Sequence, residues 1–407
     1  PTRPARAHAY PQEPAALAPI SSRLAESAMN LGLHPFCLPL AINHGVADQR
    51  VVEFADGPVA RVEFPVRLRS ACIACRTCDT YACKLEAKND VATMMIDPMI
   101  AGLTRVMRDG TTNLARLELW PNTVVVGLDV EAGRVVRARL RRRDRTHVET
   151  IEADQFILAA GALGTPHLVL ASGLHEHSPA RDAVGRYLMR HDNAMVFGVF
   201  PRRPDPDHRF HKQVAIHDWY FGEPGADDVE GMTKLGGVQQ MMTPPKELVR
   251  AHLPIGTKTA IGAFTEQLTG LLCIAEDQPR PENRVTLDPG VRDIYNLPQL
   301  VIEHAYSDRD ERAVSALVRR AKRVLRETGA WFFHTHRVKT FSHAVGTVRM
   351  GTDPETSPLD ENCKFRGLAN LWITDGSALP MSAGVNPSLT IAANALRAAD
   401  AIVREVA

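Results

Sequence analysis

Residues 342–360 read SHAVGTVRMGTDPETSPLD and residues 368–396 read LANLWITDGSALPMSAGVNPSLTIAANAL, and the order of features in them decides the fold. Leu371, Trp372 and Ile373 form a short apolar run between turn residues, which predicts a buried strand that delivers Asp375 and Gly376 into a tight turn. Asn386 then reads as a helix N-cap and Pro387 as the first helical residue, where a missing N–H costs nothing. Leu389, Ala392, Ala393, Leu396, Ala399 and Val403 continue at helical spacing. A helix start so placed offers unpaired N–H groups and a partial positive charge, which suits an anion or a ring that becomes anionic.

His343 followed by Gly346-Thr347 and Met350-Gly351, then Asp375-Gly376-Ser377, then Asn386-Pro387 with Thr390, resembles the C-terminal signature of the glucose-methanol-choline (GMC) flavoprotein oxidoreductases. In that family a histidine and the residue at the asparagine position flank the flavin and face the substrate alcohol, so the resemblance implies those places for His343 and Asn386. Hydride transfer from an alcohol carbon requires the hydroxyl to lose its proton, and imidazole, with an unperturbed pKa of about 6.5, is well poised to accept it. The expectation is that His343 is the base and that Asn386 holds the substrate oxygen. The helix behind Asn386 would stabilise charge on the reduced ring. Taken singly, His343 reads as a core histidine and Asn386 as a cap; it is the full constellation that reverses the reading.

The chain has 407 residues, 44% hydrophobic and 23% charged, which places it among globular proteins with core enough for two or three domains. A net charge of +1 gives no field for nucleic acid, and no run of apolar residues is long enough for a membrane span. The first twenty residues hold no charged region followed by an apolar core, so no signal peptide is visible and a cytoplasmic location is expected. Arg137, Arg139, Arg141, Arg142 and Arg143 read as the wet face of a strand.

A flavin enzyme of this kind is expected to open with a strand, a G-x-G-x-x-G turn and a helix that receives the FAD pyrophosphate. No such turn occurs; Gly161 and Gly164 follow a strand but have the wrong spacing. The sequence therefore reads as lacking its N-terminal nucleotide-binding unit, and is expected to be a truncated product, a partial sequence or a fragment whose other half is a separate chain. Ser21 or Ser22 is expected to cap a helix through Leu24, Ala25 and Met29 that closes at Gly32, with His34 and His44 in loops. Runs 123–130 and 135–141 read as a hairpin about Ala132-Gly133, and the apolar strand Phe156 to Ala160 ends at Gly161 and opens a helix. The resemblance implies that Val125 lies against the FAD adenine and that Gly161 lets the backbone approach the cofactor. Ser307 with Asp310 predicts a capping box on an amphipathic helix ending at Gly329. His334 and His336, two apart in a β-like run, are weak metal candidates.

Cys72, Cys75, Cys78 and Cys83 follow C-x2-C-x2-C-x4-C and account for four of the seven cysteines. An iron–sulfur cluster, a structural zinc, local disulfides and inert thiols all remain open readings. Cys37, Cys273 and Cys363 are isolated and read as structural.

The expected fold is α/β (α+β): a Rossmann-like FAD-binding domain, incomplete at its N-terminus, formed by residues 1–190 and 341–407, and a substrate domain over 191–340 with an antiparallel sheet and helices. Aromatic spots such as Trp219, Tyr220 and Phe221 mark the latter. The expected function is FAD-dependent oxidation of a hydroxyl on a sugar, glycoside or other polyol. The flavin bed would include Val125, Gly161, Asp375, Gly376, Pro387 and Ser388, and oxygen or an electron-acceptor protein would reoxidise it. Two alternatives stand beside this: an electron-transferring dehydrogenase with an iron–sulfur relay at Cys72 to Cys83, and a flavin-free fragment that acts as a binding module.

Overall fold

The computed structural model describes residues 17–43, 51–53, 59–63, 70–75, 78, 82–110, 112–115, 117–143, 147–220, 234–243 and 264–406. His44 and Phe221 lie outside them. In chain order the elements are α1 (Pro19–Asn30), β1 (Phe36–Cys37), β2 (Val51–Glu53), β3 (Val59–Glu63), α2 (Asp97–Ile100), β4 (Leu103–Met107), β5 (Thr112–Ala115), β6 (Thr123–Glu131), β7 (Arg134–Arg142) and β8 (Val148–Glu152). There follow β9 (Phe156–Leu158), α3 (Gly161–Ala171), β10 (Asp192–Val199), β11 (Val214–Ile216), β12 (Gly236–Met241), β13 (Leu268–Ala275), β14 (Arg284–Arg292), β15 (Pro298–Glu303), α4 (Asp308–Glu327), β16 (Phe332–Arg337), β17 (Leu371–Ile373) and α5 (Ser388–Val406). Mixed helix and antiparallel sheet is thus the architecture.

The largest sheet has six strands in the order β1-β11-β12-β13-β10-β16, every neighbouring pair antiparallel. One face of it is covered by α4, whose N-terminus is closed as expected: the Ser307 side chain accepts from Asp310 N–H and the Asp310 side chain accepts from Ser307 N–H. Val314, Leu317, Ala321, Val324 and Leu325 of α4 are fully buried with Val196, Val214, Val238 and Leu271 of the sheet. Helix α1 adds Leu24 and Ala28 to this same core. The sequence reading grouped residues 17–43 with the flavin domain; packing joins α1 and β1 to the six-stranded sheet, because the apolar stripe of α1 meets α4 and β11. Ala18, which offers no side-chain cap, rather than Ser21 or Ser22 precedes α1, Pro19 takes its first position, and Ser21 is buried with its hydroxyl donating to His211 O.

A second core is built by β6 and β7, by the parallel pair β9–β17, and by α3 and α5, with β8 an exposed strand paired to β7. Its hairpin turns at Ala132 (φ 49°) and Gly133 (φ 75°), both left-handed, the geometry of a two-residue turn that matches strand twist. On the wet face of the hairpin Arg137 and Arg139 pair with Asp129 at 3.4 and 3.2 Å, and Arg142 with Glu149 at 3.6 Å. Parallel strands are normally covered on both faces, yet Ile157 of β9 is 52% exposed and Leu389 of α5 74%. No helix among the described residues is long and apolar enough to cross a membrane.

Candidate active site

Three segments distant in sequence meet at His343. The loop that carries it follows β16; Val345 pairs with Met189 just before β10, and Gly346 donates its N–H to Gly376 O at 3.1 Å. Gly346 has φ +99°, and a Cβ there would stand 2.4 Å from Tyr187 O, so only glycine lets these segments close. His191, also left-handed at φ 59°, is held there by the Asp277 carboxylate, which accepts from the N–H groups of Arg190 (2.8 Å) and His191 (3.1 Å). Its imidazole is buried and meets His343, Nδ1 to Nδ1, at 3.0 Å. On the other side of the ring, His343 Nε2 lies 3.2 Å from Asn386 Nδ2. Gln239 of β12 donates to Asn386 Oδ1 at 2.7 Å.

Burial, then the neighbouring His191 and then Lys212, depress the His343 pKa to about 4. Burial likewise lowers that of His191, against the opposing pull of Asp277. Both rings are therefore neutral at pH 7, and a neutral imidazole can accept a proton. Asn386 is not the cap that the sequence predicts. The first helical bond of α5 runs from Ile391 N–H to Pro387 O, and the Asn386 amide is given to His343 and Gln239 instead.

Beneath this triad Asp375 joins two turns. Its buried carboxylate accepts from Gly161 N–H (2.8 Å) and Thr165 Oγ1 (2.5 Å) at the start of α3, and from Ser377 N–H (2.8 Å) and Oγ (2.5 Å) in its own turn. Thr347, from the His343 motif, is buried and donates to Ala162 O at 2.8 Å. The signature residues 343–350 and 375–378 thus form one unit with the β9–α3 turn.

Comparison with known proteins shows the family. Profiles described as GMC oxidoreductase match residues 65–193 and 279–395. The chain belongs to the GMC oxidoreductase family. It is 28% identical over 405 residues to paromamine 6'-oxidase of Streptomyces fradiae, covering 94% of this chain and 64% of that protein. It is 28% identical over 293 residues to pyranose 2-oxidase of Tricholoma matsutake, covering 66% of this chain and 50% of that one. The chain thus spans half to two thirds of the length of these relatives. Among solved structures, pyridoxine 4-oxidase from Mesorbium loti superposes with a TM-score of 0.53 at 17% identity, covering 95% of this chain and 69% of that one, which supports the fold.

GMC membership implies FAD, and the residues present fit it. The first turn of α5 leaves Ser388, Leu389 and Thr390 exposed beside Asn386, with N–H groups that no helical carbonyl can accept. Gly161 has φ +79° and a Cβ there would meet nothing within 4 Å, so the space over that turn is open. Of the expected flavin bed, Gly161, Asp375 and Gly376 are brought together, and Pro387 and Ser388 start α5 beside the His343–Asn386 pair. Val125 stands on β6, 36% exposed, in the sheet that packs on α3. His191, Gln239 and Asn193 are site residues that the sequence reading did not name; no local motif marks them. Trp219 is buried in the six-stranded sheet's core, which removes it as a substrate contact, whereas Tyr220 lies against Gly384 in the loop before Asn386.

The four clustered cysteines line a single cavity of about 10 Å³ with Ile42, Leu85 and Lys88, and none is in a disulfide. Cys72 Sγ accepts the Ala74 N–H at 3.3 Å. Burial raises the Cys83 thiol, but N–H groups of Ala87, Leu85 and Lys88 and the Lys88 charge outweigh it and leave the pKa lowered. Among the described residues no group of three or more His, Cys, Asp or Glu side chains is set to hold a metal ion. His334 and His336 lie exposed on one face of β16.

Proposed function

We propose that this GMC oxidoreductase oxidises a hydroxyl group of a sugar, glycoside or other polyol, with His343 as base and Asn386 orienting the substrate oxygen. The observation that carries the reading is the convergence of His343 Nε2 and Asn386 Nδ2 at 3.2 Å beside the start of α5. An alcohol oxygen set against both accepts the Asn386 N–H and gives its proton to His343 Nε2. FAD, when bound, supplies the acceptor for the hydride and its two electrons. His343, depressed to about 4, is neutral at pH 7, so one ring nitrogen is bare and able to accept the hydroxyl proton. The first-turn N–H groups of α5 and the Gly161 turn are the proposed bed of the ring and of the phosphate-bearing portion.

The substrate class rests on relatives whose names include a pyranose 2-oxidase and C-glycoside 3-oxidases. A nucleotide-binding unit, carried elsewhere in the protein or by a separate chain, is proposed to cover the open face at Ile157 and Leu389. Mixing the flavin-loaded protein with pyranoses and aminoglycosides without oxygen should bleach the flavin band. His343→Ala should slow bleaching by about a hundredfold, the usual worth of a general base; a variant as fast as the parent removes His343 from the role.

A further inference from the structure

The hydrogen bonds about His343 form one chain, and its far end fixes the direction of every bond in it. His191 Nε2 lies 2.7 Å from Ser382 O. A carbonyl only accepts, so His191 Nε2 carries the hydrogen and its neutral ring leaves Nδ1 bare. The partner of that bare nitrogen, His343 Nδ1 at 3.0 Å, must then be the donor. A neutral His343 protonated at Nδ1 has a lone pair at Nε2, which accepts from Asn386 Nδ2 at 3.2 Å. The other end is consistent: with Gln239 Nε2 as donor to Asn386 Oδ1 at 2.7 Å, the Asn386 amide offers its N–H groups to His343. One further neighbour fits after a half-turn. Asn193 Nδ2 stands 3.3 Å from His343 Nδ1 while its buried Oδ1 has no partner, and with the two atoms exchanged that oxygen shares the Nδ1–H with His191 Nδ1 as a bifurcated bond.

We propose that His191 and Gln239 are positioning residues that lock His343 in the Nδ1–H tautomer, with its lone pair at Nε2 facing Asn386 and the substrate hydroxyl. The inference rests on the assignment of His343 as base but is decided by a separate measurement. Gln239→Glu is nearly isosteric and reverses the chain: a carboxylate cannot donate, so the Asn386 amide turns its N–H to residue 239 and its oxygen to His343 Nε2, which must then carry the hydrogen. His191 Nδ1 still claims the other hydrogen, so His343 then carries one on each ring nitrogen and no lone pair faces the substrate.

The test is 15N-histidine NMR of the FAD-bound protein, in which bare and protonated ring nitrogens resonate far apart. His343 is assigned by the signal lost in His343→Gln. The expected result is a bare Nε2 in the parent and a protonated Nε2 in Gln239→Glu, with the limiting rate of flavin reduction down about a hundredfold and half-saturation by substrate little changed. A parent His343 with hydrogen on Nε2, or an Nε2 that stays bare in Gln239→Glu, overturns the relay whatever the rates. A tautomer that switches without slowing reduction upholds the relay and removes the base assignment instead. Should Gln239→Glu not fold, the tautomer of the parent still decides the proposal.

Discussion

Replacing Asp375 by alanine should destabilise the flavin-side core. The carboxylate is buried and takes four hydrogen bonds, two from the start of α3 and two from its own turn. The Thr165 and Ser377 hydroxyls can turn to other acceptors. The N–H groups of Gly161, partly buried, and Ser377, fully buried, cannot, and each orphan costs about 1–3 kcal/mol. Asp375→Ala is therefore expected to cost about 4 kcal/mol. At about 2–4 °C per kcal/mol for a domain of 150 to 250 residues, the midpoint falls by about 8–16 °C. Asp375→Asn keeps one oxygen for Ser377 but sets an amide N–H against the Gly161 N–H, so roughly half the loss is expected. Urea titration and calorimetry of the two variants measure this. An Asp375→Ala protein within about 1 kcal/mol of the parent would refute the idea that this carboxylate holds the two turns together.

Because the His343 pKa is about 4 in the folded protein and about 6.5 unfolded, the unfolded chain binds more protons between these values. The His343 contribution to stability is therefore complete above pH 6.5 and lost as pH falls toward 4, and anaerobic reduction should stay flat from pH 8 to about pH 5; a rate midpoint near 6.5 would contradict the cause given. Gly346→Ala, whose Cβ would meet Tyr187 O at 2.4 Å, should cost several kcal/mol, about 2–4, by thermal unfolding. In reduced, chelator-treated protein Cys83 should alkylate first by peptide mapping, ahead of Cys72 and Cys78, whose thiols burial raises. Cys273, pushed up to about 12 by complete burial, should stay unmodified until unfolding.

What the sequence determined by itself was whatever is written within a few residues. The Ser307–Asp310 box, the left-handed Ala132-Gly133 turn, the strand that ends at Gly161 and the order of His343, Asp375 and Asn386 are local chemistry: a cap, a positive φ, an apolar run between breakers. Tertiary structure decided the rest. Asn386 looked like a cap because an asparagine before proline has a backbone N–H within its own reach; its side chain instead serves Gln239, 147 residues away, since β12 brings that amide alongside. His191 sits 152 residues from His343 and reaches it only because Asp277 holds its backbone left-handed at the start of β10. Helix α1 carries the same apolar stripe wherever it lies, and only its packing on α4 assigns it to the six-stranded sheet. Strand register and buried carboxylates choose such partners, and neither has a period or a motif that a linear sequence displays.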